Sequence, residues 1–137
     1  MTPISVDNGA YLIASVLVVD DSAVQRKHAV DLCTAFGIGL IHQAGNGAEA
    51  LALVASLSPQ PAVMLIDLEM PGMDGMALIQ KLYEHGFYIP LIIASGRDPN
   101  LIRSVAQMVL DLGLPLIGTL NKPIQKDALY DLLRQVR

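Results

Sequence analysis

Four short stretches of this 137-residue chain place chemically capable residues directly behind apolar runs. Asp20 and Asp21 follow Val16–Val19, Asp67 follows Val63–Ile66, Ser95 follows Leu91–Ala94, and Asn121, Lys122 and Pro123 follow Leu116–Leu120. Three carboxylates gathered in one place repel one another unless a cation joins them. Hard oxygen ligands of this kind suit magnesium, which keeps several waters and takes one or two carboxylates together with a phosphate oxygen. A lysine beside them neutralises anionic oxygens, and a serine hydroxyl donates to one. This is the set that phosphoryl transfer asks of its host, namely positioning and charge neutralisation. The central aspartate can then be the acceptor itself, forming an acyl phosphate.

Such a set converges only if the elements before it end at a common edge. The five apolar runs are short, rich in branched residues and separated by helix-like segments, which is the pattern of a parallel sheet covered on both faces. The second run, Gly39 to Gln43, carries His42 and Gln43 and reads as an edge strand, while the fifth, Leu116 to Leu120, is broken by Gly118. Ser22 with Gln25, and Asn46 with Glu49, form capping-box signatures for the first two helices; Gly37 follows the last apolar residue of the first. Asp74 caps the third helix, whose inward stripe reads Met76, Ile79, Leu82 and Tyr83. Asp98-Pro99 opens the fourth, with Gly113 past its end, and the fifth runs from Gln125 to Val136, burying Leu129, Leu132, Leu133 and Val136. Right-handed crossovers close five βα units into an α/β, doubly wound, five-stranded parallel sheet of order 2-1-3-4-5. Ligands of such sheets bind at the carboxyl ends of the strands, where strands 1 and 3 diverge.

Composition agrees with this architecture and removes several others. At 137 residues, 53% apolar and without tryptophan, the chain is one domain with an aliphatic core, residues 14–137, preceded by an arm at 1–13. The net charge of −4 and the absence of a Lys/Arg run argue against direct nucleic-acid binding by this domain. No apolar run approaches a membrane span and the start lacks a signal-peptide pattern; with the single Cys33 these point to a cytoplasmic protein. His28, His42 and His85 lack metal-ligand spacing and read as ordinary structural residues.

The acidic pair, the stretch Asp67-Leu-Glu-Met-Pro-Gly-Met-Asp-Gly75, Ser95 and Lys122-Pro123, in this order at strand ends, resemble the receiver domains of response regulators, from about Val16 to the end. The resemblance implies a flavodoxin-like fold and phosphorylation of Asp67 by a histidine kinase or phosphotransfer protein. It implies Mg2+ bound by Asp21 and Asp67, by Asp20 mainly through water, and by the backbone carbonyl of Glu69. Lys122 would contact the phosphoryl oxygens, the Lys122–Pro123 bond would be cis, and Ser95 would hydrogen-bond the phosphoryl group. The switch positions would be Ser95 and Thr119; Thr119 departs from the pattern, since many receivers carry an aromatic residue there. The segments Ser95–Asn100 and Gly113–Pro123 further resemble receivers that precede EAL-type cyclic-di-GMP phosphodiesterase domains, which implies such an output domain or effector as partner.

Simpler or rival accounts exist for each feature. Asp20-Asp21 alone is a helix cap with a surface acid, and Met70–Gly75 alone is a turn. A magnesium-dependent phosphohydrolase with an aspartate nucleophile also places its site at parallel strand ends; it usually carries a second aspartate two residues on, where this chain has Glu69. A degenerate receiver serving only as a binding module is the third account, and the intact acid–lysine set argues against it. The fourth helix is apolar over a wide arc, Leu101, Ile102, Val105, Met108, Val109, Leu110 and Leu112, which suggests a homodimer or interdomain surface.

Overall fold

Val16–Val19, Met64–Ile66 and Leu91–Ala94 have no polar side to show water, so they are stable only between two layers of helices. The computed structural model describes residues 13–136. It contains β1 (Ser15–Val19), α1 (Ala23–Ala35), β2 (Leu40–Ala44), α2 (Gly47–Ser56), β3 (Met64–Asp67), α3 (Gly75–Glu84), β4 (Leu91–Ser95), α4 (Pro99–Asp111), β5 (Leu116–Asn121) and α5 (Lys126–Leu133). All four strand pairs are parallel and the order is β2-β1-β3-β4-β5, as the alternation of runs predicts.

Alternate residues along each strand feed two cores. Leu17, Val19, Met64, Ile66, Leu91 and Ile93 pack against α2, α3 and α4, while Val16, Val18, Leu65, Ile92, Ala94 and Leu120 pack against α1 and α5. Each fully buried aliphatic side chain contributes on the order of 1.5–3 kcal/mol. Cys33 is one of these core residues, and burial pushes its thiol up to about 12. Residues 1–12 of the expected arm lie outside the described region; Ile13 is half-buried against the α1/α5 core.

Several local expectations shift. The buried stripe of α3 is Gly75, Leu78, Ile79 and Leu82, whereas Met76 and Tyr83 are exposed, because the helix phase is set by Leu78 and Leu82 one turn apart. β5 is continuous across Gly118. It carries a bulge there, since Leu91 pairs with Leu116 but Ile92 pairs with Gly118. The missing Cβ has a reason: one built at Gly118 would stand 2.5 Å from Leu132 Cδ2 of α5. Helix α5 stops at Leu133, short of Val136, which is nonetheless buried. The second strand is displaced by one residue, ending at Ala44, whose side chain is buried. The caps at Ser22, Asn46, Asp74 and Asp98 all accept a backbone N–H of the first helical turn.

Candidate functional site

The carboxyl ends of β1, β3, β4 and β5 lie along one edge of the sheet, and the polar residues behind them converge there. Asp20 and Asp67 are buried, while Asp21 opens to solvent. One carboxylate oxygen from each lies within 4.8 Å of the other two. The Lys122 side chain, only 9% exposed, places its ammonium between two of them, 2.7 Å from Asp20 Oδ2 and 3.2 Å from Asp67 Oδ2. Its strand end is fixed by the Lys122 N–H donating to the Ser95 carbonyl at 3.0 Å, and the Lys122–Pro123 bond is cis.

Backbone donors hold the acids in place. The Ser22 N–H donates to Asp20 Oδ1 at 2.9 Å and the Glu69 N–H to Asp67 Oδ1 at 3.1 Å. Gly75 backs this turn closely, for a Cβ there would stand 2.7 Å from both the Asp67 carbonyl oxygen and Leu68 Cα. Burial away from water raises the Asp67 pKa to about 6; the Glu69 N–H and the Lys122 charge pull it down, and the neighbouring Asp20 charge pushes it up. Three carboxylates against one ammonium leave two formal negative charges uncompensated in a cleft lined by Asp21, Asp67, Glu69 and Lys122. That charge and the all-oxygen donor set fit a hard divalent cation.

These features can be set beside known proteins. The family model described as the response regulator receiver domain matches residues 16–134. This chain belongs to that family. A cyclic di-GMP phosphodiesterase, RocR, of Pseudomonas aeruginosa is 34% identical over 119 residues, covering 87% of this chain and 30% of that protein. A protein-glutamate methylesterase/protein-glutamine glutaminase of Moorella thermoacetica is 38% identical, covering 88% of this chain and 27% of that protein. The receiver thus spans less than a third of either relative. A response regulator structure from Colwellia psychrerythraea superposes with a TM-score of 0.74 at 31% identity, covering 88% of this chain and 94% of that one. Receiver domains are regulatory phosphoacceptors of two-component systems; they bind magnesium at an acidic pocket and interact with histidine kinases or phosphotransfer proteins and with output domains. No helix among the described residues is long and apolar enough to cross a membrane.

The receiver brings together Asp20, Asp21, Asp67, Glu69, Ser95 and Lys122, but leaves Thr119 exposed on the edge strand β5. Three participants escaped the sequence. Gln25 does not return its side chain to the cap of α1; its Oε1 accepts from Lys122 Nζ at 2.6 Å. Arg26 Nη1 donates to the Asp20 carbonyl at 2.8 Å, and Arg97, which carried no expected role, places Nε 3.4 Å from Glu69 Oε2. Their only sequence signal is position, one helical turn after the acidic pair and two residues after Ser95.

Proposed function

We propose that this receiver is phosphorylated on Asp67 in a magnesium-dependent reaction, and that the charge change switches the loop after β4. The supporting observation is the Lys122 ammonium bridging the buried Asp20 and Asp67 carboxylates at the carboxyl ends of the neighbouring strands β1 and β3. An Asp67 carboxylate oxygen would attack the phosphorus of a phosphohistidine. The O–P bond forms as the P–N bond breaks, and the departing imidazole nitrogen keeps the electron pair and later takes a proton from water. Lys122, already within reach of Asp67, would turn its charge to the incoming phosphoryl oxygens while Gln25 Oε1 and Asp20 Oδ2 accept from its Nζ and keep the ammonium in the cleft. Asp21, Asp67 and the Glu69 carbonyl would hold the Mg2+ directly and Asp20 through water; when bound, the ion neutralises charge on the phosphoryl oxygens. Ser95, buried at the end of β4, is assigned as the hydroxyl that responds to the new charge.

The receiver unit is assigned to residues 14–137, in the cytoplasm. Its output is assigned to a cyclic-di-GMP phosphodiesterase domain or partner, supported by the identity with RocR. Leu110, exposed on α4, supports a contact of that helix with a second copy or an output domain, which sedimentation of wild type and Leu110→Ser would test.

Intact mass after incubation with acetyl phosphate and magnesium tests the central assignment. One added phosphoryl group, absent in Asp67→Asn, is the expected result. Repeated turnover of a small phosphate ester would favour a phosphohydrolase instead, and no modification would favour a pure binding module.

A further inference from the structure

Ser95 and the residue after it are not idle in the unphosphorylated protein. The Ser95 hydroxyl donates to Glu69 Oε1, and the Gly96 N–H donates to the same oxygen at 2.8 Å. The other carboxylate oxygen faces the exposed Arg97 side chain at 3.4 Å. Glu69 thus presents an anion to the two donors that terminate β4, from a strand end that also carries Asp67 two residues earlier. Burial alone would raise its pKa, but the Ser95 and Gly96 hydrogen bonds with the Arg97 and Lys122 charges hold it below the usual carboxylate range. Hydrogen bonds to an ionised acceptor are about twice as strong as neutral ones, so this pairing is not given up freely.

We propose that the Glu69 carboxylate is a resident anion of the Ser95–Gly96 donor pair, which a phosphoryl group on Asp67 must displace, so that Glu69 positions the β4–α4 loop in the resting state and opposes its capture. This rests on Asp67 being the acceptor. A carboxylate and a phosphoryl oxygen ask the same things of a hydroxyl and an N–H, and two anions cannot share both donors. Displacement would leave Glu69 with Arg97, which lines the same cleft with a largely exposed side chain and could take the carboxylate toward solvent. The loop would then be held by one anion in the resting state and by another in the active one, with Glu69 setting the difference.

The test uses the whole chain, with beryllofluoride plus magnesium as the phosphoryl analogue. In magnesium-free wild type, the Gly96 amide proton should resonate downfield and move upfield in Glu69→Ala; an unmoved resonance means the bond is absent in solution and overturns the proposal. Beryllofluoride should bind Glu69→Ala roughly tenfold more tightly than wild type, from the released charged hydrogen bonds, with Glu69→Gln between them. The decisive comparison is made in Ser95→Ala, where the Glu69→Ala gain should shrink to a few-fold. A full tenfold gain there would mean simple charge repulsion and refute the competition. Should wild type take up neither beryllofluoride nor a phosphoryl group, the assignment of Asp67 fails and the proposal falls with it; should it do both while Glu69→Ala binds no more tightly, only the proposal falls.

Discussion

Replacing Asp67 by asparagine should stabilise this protein, and by an amount that depends on pH. The folded carboxyl holds its proton up to about pH 6, against 3.8 for an unperturbed aspartate, because burial outweighs the help of Lys122 and the Glu69 N–H. A group whose folded pKa is raised contributes its full stability below the unfolded value and loses it as pH rises through the folded one. About two pKa units at 1.36 kcal/mol each amount to about 3 kcal/mol of destabilisation by the ionised Asp67 at pH 8. At pH 4.5, where the folded group is protonated and the unfolded one partly ionised, the same linkage leaves about 1 kcal/mol. Asparagine keeps the Oδ1 acceptor for the Glu69 N–H and carries no charge to desolvate. Urea unfolding of both proteins in EDTA should therefore give a stability gap of about 3 kcal/mol at pH 8, or roughly 10 °C in Tm, shrinking to about a third at pH 4.5. Equal stabilities at pH 8, or a gap indifferent to pH, would show that Asp67 is not held in an unfavourable ionised state.

Magnesium should relieve the same charge: at ten times its Kd it should stabilise wild type by about 1.4 kcal/mol in thermal melts and do little for Asp21→Asn or Asp67→Asn. Lys122→Met removes the cation between two buried carboxylates and should cost about 3 kcal/mol at pH 8 in urea titrations, recovering in part as the pH falls through about 6 and Asp67 protonates. Gly75→Ala forces a methyl group against the Asp67 carbonyl and Leu68 Cα; a loss of about 2 kcal/mol is expected, with slower acetyl-phosphate labelling because the acceptor is displaced. Cys33, buried and with its thiol raised to about 12, should resist a thiol reagent in the native state and react fully in urea.

The topology was readable because uniform apolar runs and cap residues are local signals, each fixed by a short stretch such as Val16–Val19 or Asn46–Glu49. The polar residues of the cleft were readable for a related reason: strand ends of a doubly wound sheet converge, so Asp20, Asp67, Ser95 and Lys122 had to meet once the strands were placed. What sequence did not show were choices between partners of similar merit. Gln25 can cap its own helix or accept from a lysine 97 residues away, and only packing decides for the lysine. Helix phase was misjudged on α3 for the same kind of reason, since Met76 and Leu78 are equally apolar and the sheet selects Leu78. The tie between Glu69 and Ser95 joins strand ends 26 residues apart in the chain, with no periodicity to announce it.

The extra residue in β5 has a bearing on how this chain tolerates change in length. Ile117 has no counterpart on β4, and beyond it Ile92 faces Gly118 and Ser95 faces Asn121. A β5 that continued evenly from the Leu91–Leu116 pair would set Leu120 opposite Ser95 and carry the lysine about 3.3 Å further along, out of reach of Asp20. The bulge is therefore a slack link. One residue gained or lost between Gly113 and Ile117 can be taken up there, by tightening or enlarging the loop, while the ammonium stays at its post. Lengthening the chain between Gly118 and Lys122 has no such reserve, and a single insertion there would throw the lysine past the carboxylates it serves.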